Sequence, residues 1–414
     1  MLVSKVISIG DEILIGQIVN SNASFIGEKL FSLGIPVQRI VTIADTEEAL
    51  IKELDDSFEN FDVTIITGGL GPTHDDLTKP TIVKYFRDEL VTDEKVLEQV
   101  KSIFQSRNVS MPDVNYEQAK VPKSCKVIYN DGGTAPGMWL EKNNRVIVSL
   151  PGVPFEMKDM MIKSVLPMLK EKYNGKMDYV MKTRTLLTTG IGESHLAELI
   201  GDVEEIIGNN KLAFLPSPLG VRLRVDVKGK DEKNAIDILN EIESKLRDKI
   251  DVYLYGKDDE LLEKIAGNFI KEKKITIAVA ESCTGGLLSS KITDVSGSSD
   301  YFLGGVCSYS NKSKISILKV RKSTLENYGA VSEETAVEMA ENVRKLFGSD
   351  IGISTTGIAG PTGGTESKPV GTVWIGLSDA NRTFAKKYMF GNNRERTKIR
   401  ASYMALYMLI KNFK

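Results

Sequence analysis

The residues of this chain best suited to covalent chemistry are a serine, a tyrosine and a lysine, each close behind a stretch that reads as a strand. Ser282 lies in Ala280-Glu281-Ser282-Cys283-Thr284-Gly285-Gly286. This turn follows the apolar, β-branched run 274–279, which reads as a buried strand, and precedes 287–292, which reads as a helix. A small-residue turn at the carboxyl end of a strand presents a nucleophile or holds an anion, because the helix start offers unpaired N–H groups. An ordinary strand–helix turn with a Ser or Thr N-cap has the same look. Only two histidines, His74 and His195, occur in 414 residues. Neither a Ser-His-Asp triad near Ser282 nor a zinc site with several His ligands is therefore expected. The base for Ser282 must be Lys, Tyr, Asp or Glu. Tyr309 and Lys314, in the stretch 309–314 after the predicted strand 302–308, are the candidates to take and return its proton. Cys283 is the competing nucleophile, since a thiol needs less activation than a hydroxyl.

Two further stretches complete this set of parts. The predicted strand 350–354 ends in Thr355-Thr356-Gly357-Ile358-Ala359-Gly360-Pro361-Thr362-Gly363-Gly364, where Thr356, Gly357 and Gly360 are candidates to line a phosphate or ribose. Strands are expected at about 370–377 and 382–389, and Phe390-Gly391-Asn392-Asn393-Arg394-Glu395-Arg396 opens the last helix. Arg394 or Arg396 can pair with a phosphate, and a cation at a helix start is mildly unfavourable unless an anion is near.

The amino-terminal part carries a second constellation. Gly10-Asp11-Glu12 follows a predicted strand at 2–9 and leads to Asn20-Ser21-Asn22. Gly68-Gly69-Leu70-Gly71-Pro72-Thr73-His74-Asp75-Asp76-Leu77-Thr78-Lys79 follows another at 62–67. Gly68, Gly69 and Gly71 let backbone N–H groups approach an anion. Asp75 and Asp76 supply hard oxygen ligands for a divalent cation, Asp11 and Glu12 complete the oxygen cluster, and Lys79 meets a phosphate. A tight turn with a helix N-cap is the plainer reading of such a loop. Pro151-Gly152-Val153-Pro154-Phe155-Glu156 follows a strand at 145–149, and Glu156 either caps the next helix or adds a carboxylate.

The elements that must position these residues form an α/β chain of more than one domain, as its length requires. Strands at 2–9, 36–43 and 62–67 alternate with helices at 22–33 and 46–60, which predicts a parallel, doubly wound sheet over residues 1–170. Residues 175–255 read as a small α+β module, with strands near 179–187, 211–215, 220–228 and 251–255 and helices near 193–201 and 231–249. Residues 258–414 return to α/β alternation, opening with an amphipathic helix at 258–273. The fold class is thus two parallel-sheet α/β domains joined by a small α+β module. With net charge −2 and pI near 6.0, no surface for nucleic acid or an anionic membrane is expected. No apolar run approaches the roughly 20 residues of a membrane span, and the first residues read as a strand and not as a leader. Cys125, Cys283 and Cys307 are odd in number and far apart, which argues against a disulfide framework. A cytoplasmic protein is expected.

Residues 1–170, through GDE, GGLGPTHDD and PGVPFE, resemble the N-terminal domain of the CinA family, whose fold is related to molybdopterin-binding domains. That resemblance implies a nucleotide-type substrate and metal-dependent ADP-ribose pyrophosphatase activity. Its divalent cation (Mg, Mn or Co) would be held by Asp75 first, then Asp76 and Glu12, with Asp11. Asn22, Gly68, Gly69, Gly71, Thr73, Lys79 and Glu156 would contact the nucleotide. The middle segment is similar to the KH-like module of full-length CinA proteins. Its Gly190-Ile191-Gly192-Glu193 loop has acidic neighbours, so it reads as a spacer or dimer-forming module and not an RNA reader. AESCTGG, YSNKSK, TGIAGPTGG and GNNRE resemble the C-terminal CinA domain, also known alone as a nicotinamide-nucleotide amidase. It implies cofactor-free deamidation of nicotinamide mononucleotide: Ser282 attacks, Tyr309 and Lys314 handle the proton, and Thr356 and Arg394 or Arg396 contact substrate. N–H groups around Thr284, Gly285 and Gly286 are candidate oxyanion donors. A homodimer binding small nucleotides is expected. The alternative is a non-catalytic nucleotide- or molybdopterin-binding scaffold linked to competence or DNA damage.

Overall fold

The computed structural model describes residues 2–73, 76–106, 108–176 and 179–413. The chain divides into two compact units, Met1–Lys182 with Val227–Ile238, and Thr183–Asp226 with Leu239–Lys414.

In the first unit a six-stranded sheet runs in the order Val37–Ile43, Ser4–Ile9, Val63–Thr67, Arg145–Leu150, Gly137–Lys142, Lys126–Ile128. The first four strands are mutually parallel and the last two antiparallel, so the predicted parallel sheet is mixed. The reason is local: Gly137–Lys142 and Arg145–Leu150 are joined by a two-residue turn at Asn143 and Asn144, both with positive φ, and so tight a turn can only reverse the chain. Residues alternate across Ser4–Ile9: Val6 joins one apolar cluster, Ile7 and Ile9 another. Both faces are covered by helices, as period-2 strands in a doubly wound sheet require. The predicted helices at 22–33 and 46–60 are present as Ser21–Ser32 and Glu47–Asn60.

The middle segment holds a four-stranded sheet in the order Lys211–Pro216, Val221–Gly229, Val180–Thr188, Leu254–Lys257, with antiparallel outer pairs. The helix Glu232–Ile250 belongs to the same segment. Residues 251–253, predicted as strand, form a 3₁₀ turn instead.

The last sheet runs Phe302–Cys307, Ile277–Glu281, Ile351–Gly357, Thr372–Ser378, Thr383–Met389. Its first three strands are parallel, and the meander of the last two makes this sheet mixed as well. Ile277 and Val279 face one apolar cluster, Ala278 and Ala280 another. The helix Glu333–Phe347 lies close against the sheet because glycine stands at Gly376, where a Cβ would come within 2.6 Å of the Ala336 carbonyl oxygen. Two strand limits differ from expectation in ways that matter for the site. Lys274 is the left-handed C-cap of Leu262–Lys273, so its strand begins later and runs on to Glu281. Ile351–Gly357 extends three residues further than predicted, taking Thr355, Thr356 and Gly357 out of the loop. Among the described residues no helix is long and apolar enough to cross a membrane.

Lys5, on a central strand and fully buried, reaches Glu53 and Asp56 at 2.6 Å each. Removing Lys5 leaves Glu53 without this counter-charge and leaves Asp56 to Arg39 alone, at 2.8 Å. Lys5→Met should destabilise the first domain by roughly 3 kcal/mol, read from the urea midpoint of unfolding.

Candidate active site

Ser282 is the first residue past its strand, and its N–H still donates to the Thr355 carbonyl at 2.9 Å, one ladder bond beyond the strand end. The backbone then turns sharply, with Gly285 and Gly286 at φ +62° and +93°, into the helix Leu287–Thr293. Glu281 controls this turn. Its buried carboxylate (1% exposed) accepts from the N–H groups of Gly286 and Leu288 at 3.0 Å, and from Ser289 N–H at 2.8 Å and Oγ at 2.6 Å. The start of this helix is therefore satisfied from within. That corrects two expectations: the helix start offers no open anion site, and Gly286 N–H is not free for an oxyanion. Gly285 N–H is also engaged, by the Ser282 carbonyl at 3.1 Å. Thr284 is fully buried, its Oγ1 2.7 Å from Thr355 Oγ1.

Lys314 comes to Ser282 from a different element. Ser310 and Ser313 form a capping box that starts the helix Asn311–Ser316, and this places Lys314 a turn inside it. The Lys314 side chain is 1% exposed, with Nζ 2.9 Å from Ser282 Oγ and 2.7 Å from the Ser308 carbonyl oxygen. Burial holds its pKa below the ordinary lysine value, opposed only in part by the thiols of Cys283 and Cys307, and among the described residues no carboxylate pairs with it. An amine brought toward neutrality beside a serine hydroxyl can accept that hydroxyl's proton.

Tyr309 is not part of this hydrogen-bonded chain among the described residues. It is 60% exposed, and its hydroxyl accepts from Arg394 Nη2 at 2.6 Å. Arg394 Nη1 also donates to the Gly360 carbonyl at 2.9 Å, so one guanidinium ties two strand-end loops together. Arg396 is exposed, and its backbone N–H is capped by Asn393 Oδ1. Thr356 is buried in its strand and donates to the Ala330 carbonyl at 2.6 Å, and Gly357 continues that strand. Neither lies in the loop that was expected to line a ligand. Cys283 is 5% exposed, and burial pushes its thiol up to about 12. It is a poor nucleophile near neutrality. Sequence reasoning missed Glu281 and the Ser308 carbonyl. A carboxylate at a strand end just before a glycine turn was the available signal for the first, and nothing in the sequence marks a backbone carbonyl.

In the first unit, a cleft of about 480 Å³ opens at the carboxyl ends of the parallel strands, lined by Gly10, Gly68, Gly69 and Gly152 and by the side chains of Glu12, Asp45, Asp76 and Glu156. Asp75 and His74 lie outside the described residues. Asp76 folds back on its own loop: Oδ1 accepts from Gly71 N–H at 2.8 Å, and Oδ2 from Thr73 N–H at 2.9 Å and from the Thr73 hydroxyl. Gly71 and Thr73 are thereby engaged by a carboxylate where a phosphate was expected. Lys79 turns away from any phosphate role, donating to the carbonyls of Glu117, Gln118 and Lys120. Burial lowers its pKa to about 8. Asn22 donates to Thr67 Oγ1 and to the Gly152 carbonyl, bracing the floor of the cleft. Glu156 accepts from Asn130 Nδ2 at 2.7 Å, and Asp11 is exposed with its N–H on Asp45. The residues missed here are Asp45 and Gln118.

The divalent cation implied by the resemblance can be tested against these donors. Among the described residues no three His, Cys, Asp or Glu side chains converge as a ready-made cage. Glu12, Asp45, Asp76 and Glu156 nevertheless share one cleft, and they are hard oxygen donors. Mg²⁺ commonly takes one or two carboxylates and completes its shell with water and substrate phosphate oxygens. The donor set fits a cation that arrives with a phosphate, and not a preformed protein cage.

Two mixed α/β domains, one with a glycine- and carboxylate-lined cleft and one with a buried serine–lysine pair, joined through a small α+β module: that is the class of protein these elements define. Family models match in the same order, a "Probable molybdopterin binding domain" over residues 5–171, the "Damage-inducible protein CinA KH domain" over 183–256, and the "CinA C-terminal domain" over 259–413. A competence-damage inducible protein of Clostridium botulinum (strain Langeland) is 43% identical over 99% of this chain and 100% of its own length. One of Thermoanaerobacter pseudethanolicus is 44% identical, covering 97% of this chain and 96% of that one. The solved structure of the protein CinA of Thermoplasma acidophilum is 33% identical, covering 41% of this chain and 97% of that chain, with a TM-score of 0.37. The chain belongs to the CinA family.

Because Glu281 alone satisfies three amides at the helix start, Glu281→Ala should destabilise the last domain by roughly 3 kcal/mol. Chemical denaturation monitored by circular dichroism would show it, and an unchanged midpoint would remove the clamp role.

Proposed function

We propose that this protein is a hydrolase with two sites, the last domain a serine amidohydrolase that deamidates nicotinamide mononucleotide to nicotinate mononucleotide and ammonia. The observation that carries this reading is the 2.9 Å contact between Ser282 Oγ and the buried Lys314 Nζ. A neutral amine has two N–H donors and one lone pair. With one N–H on the Ser308 carbonyl, the lone pair can turn toward the Ser282 hydroxyl, and Ser308 acts as the orienting group. Ser282 Oγ then attacks the carboxamide carbon while its proton passes to Lys314. The C–N bond breaks as Lys314 returns the proton to the departing ammonia, leaving an ester on Ser282. Water attacks that ester, gives its proton to Lys314, and Ser282 recovers it. No metal or cofactor enters this sequence. Tyr309 and Arg394 stand at the rim, where their mutual hydrogen bond holds the segment just before the helix Asn311–Ser316 near the loop that contains Gly360.

For the first domain the reading is hydrolysis of the pyrophosphate of ADP-ribose. The support is a cleft of nucleotide-fragment size at the strand ends, with glycine backbone on its floor and carboxylates around it. Glu12 and Asp76 would hold the divalent cation there, with Asp75 from the same loop. When bound, the cation polarises a phosphate oxygen and lowers the pKa of a coordinated water. The chain's own part is to hold the loop open and shaped, which Asp76 does through Gly71 and Thr73. Both domains' substrates would be small nucleotides, and the chain would act as a homodimer.

Ser282→Ala and Lys314→Met should each lower ammonia release from nicotinamide mononucleotide by about 10³-fold or more. Lys314→Arg should be equally inactive, since a guanidinium does not give up its proton. Cys283→Ala should keep most of the activity, and the reverse pattern would make the thiol the nucleophile. Because the neutral lysine is the working form, kcat/KM should rise with pH through a pKa below the ordinary lysine value and then level off. A profile flat over that range would remove Lys314 as the base. In the first domain, chelator and Asp75→Ala should each abolish AMP release from ADP-ribose, and undiminished turnover in chelator would overturn the metal-dependent reading.

A further inference from the structure

The rim of the serine–lysine site carries a cation that neither the motifs nor the mechanism uses. Lys398 lies one turn after Arg394 on the final helix, Arg394–Phe413. Residues four apart share a face, so Lys398 stands beside Arg394, whereas Arg396 is turned about 200° away. The Lys398 ammonium approaches the nucleophile turn: a Cβ added at Gly285 would lie 3.7 Å from its Nζ. Burial pushes the thiol of Cys307, at the end of the neighbouring strand, upward, and the Lys398 ammonium lies near enough to oppose that weakly. Gly285 and Cys307 flank Ser282, Gly285 in the turn itself and Cys307 as the register partner of Glu281.

The two cations of this face differ in what they have left to give. Arg394 already donates to the Gly360 carbonyl and the Tyr309 hydroxyl. Among the described residues the Lys398 ammonium makes no hydrogen bond and no ion pair, although the chain is rich in acids. Glu281, the carboxylate closest in sequence to Ser282, is buried and engaged with the helix start, so it does not neutralise the rim. A half-exposed lysine with three free donors beside a reactive serine is suited to an anionic substrate group held several ångströms from the reacting carbon.

We infer that Lys398 is the residue that receives the phosphate monoester of the substrate, with Arg394 acting mainly as the strap that positions Tyr309. This rests on the amidase reading for the identity of the substrate, but not for the presence of a phosphate-binding group. The assignment makes Lys398 a determinant of mononucleotide over nucleoside, separate from the machinery that breaks the amide.

The test compares nicotinamide mononucleotide with nicotinamide riboside, which lacks only the phosphate. In the full-length protein, Lys398→Ala should raise KM for the mononucleotide about 10-fold while kcat changes less than about 3-fold, and Lys398→Arg should restore most of the loss. The kcat/KM for the riboside should be the same in wild type and Lys398→Ala. An unchanged KM for the mononucleotide, an equal loss on both substrates, or the KM effect appearing in Arg396→Ala instead would overturn the assignment. Binding of inorganic phosphate, followed by ³¹P line broadening, provides the second readout: it should weaken about 10-fold in Lys398→Ala. If the wild type releases no ammonia from either substrate, the amidase reading fails, and the phosphate titration still decides the role of Lys398. Equal phosphate binding in wild type and variant would then overturn it.

Discussion

An ammonium group with no carboxylate partner among the described residues, packed between a serine hydroxyl and a backbone carbonyl, is an expensive thing for a protein to hold. Desolvation disfavours its charged form, and the two oxygens that face Lys314 Nζ do not restore what water would give. The arrangement is tolerable because the amine can shed its proton. The same property makes it able to take one from Ser282. The geometry of the last domain serves this contact. The strand Ile277–Glu281 ends so that Ser282 projects from its tip, and the capping box at Ser310 begins a helix that delivers Lys314 from the adjacent strand's end.

Glu281 shows how a buried carboxylate can be structural inside an active-site motif. It accepts four hydrogen bonds from three residues of the turn and helix start, which fixes the backbone on the far side of Ser282. Ser282 is thereby held from both sides, by the ladder bond to Thr355 before the turn and by the Glu281 clamp after it. The first domain uses the same device: Asp76 gathers the amides of Gly71 and Thr73 onto its own carboxylate. In both domains a loop that looks built for an external anion is ordered by an internal one. Any phosphate that binds must use donors other than these, or displace a carboxylate that is already well bonded. Lys398, with free donors, meets that condition in the last domain.

Much was legible before any coordinates. Alternating apolar strands and amphipathic helices set the α/β class, and most of the elements they predict are present with limits off by a few residues. Scarcity of histidine excluded a triad, and Ser282 and Lys314 emerged as partners across 32 positions. The family motifs agree with the relatives that match along nearly the whole chain. These inferences succeed because periodicity, turn composition and side-chain chemistry are local properties of the chain.

What only tertiary structure decided is which partner each polar group meets. Tyr309 and Lys314 both follow the predicted strand 302–308 within six residues, yet Lys314 is buried against Ser282 and Tyr309 is exposed against Arg394. Thr356 belongs to a strand because Ile351–Gly357 stays paired with Thr372–Ser378 as far as Gly357, beyond what its own residues predict. Lys79, in the first turn of the helix Thr78–Phe86 that follows the glycine-rich loop, turns to three carbonyls some forty residues later in the chain, and Lys398 reaches a turn more than a hundred residues earlier. Sequence determines which groups are available and on which kind of element they sit. Their pairings depend on burial and on contacts between distant segments, where the loss of water makes each unsatisfied donor or acceptor costly, and that competition is settled only when the chain has folded.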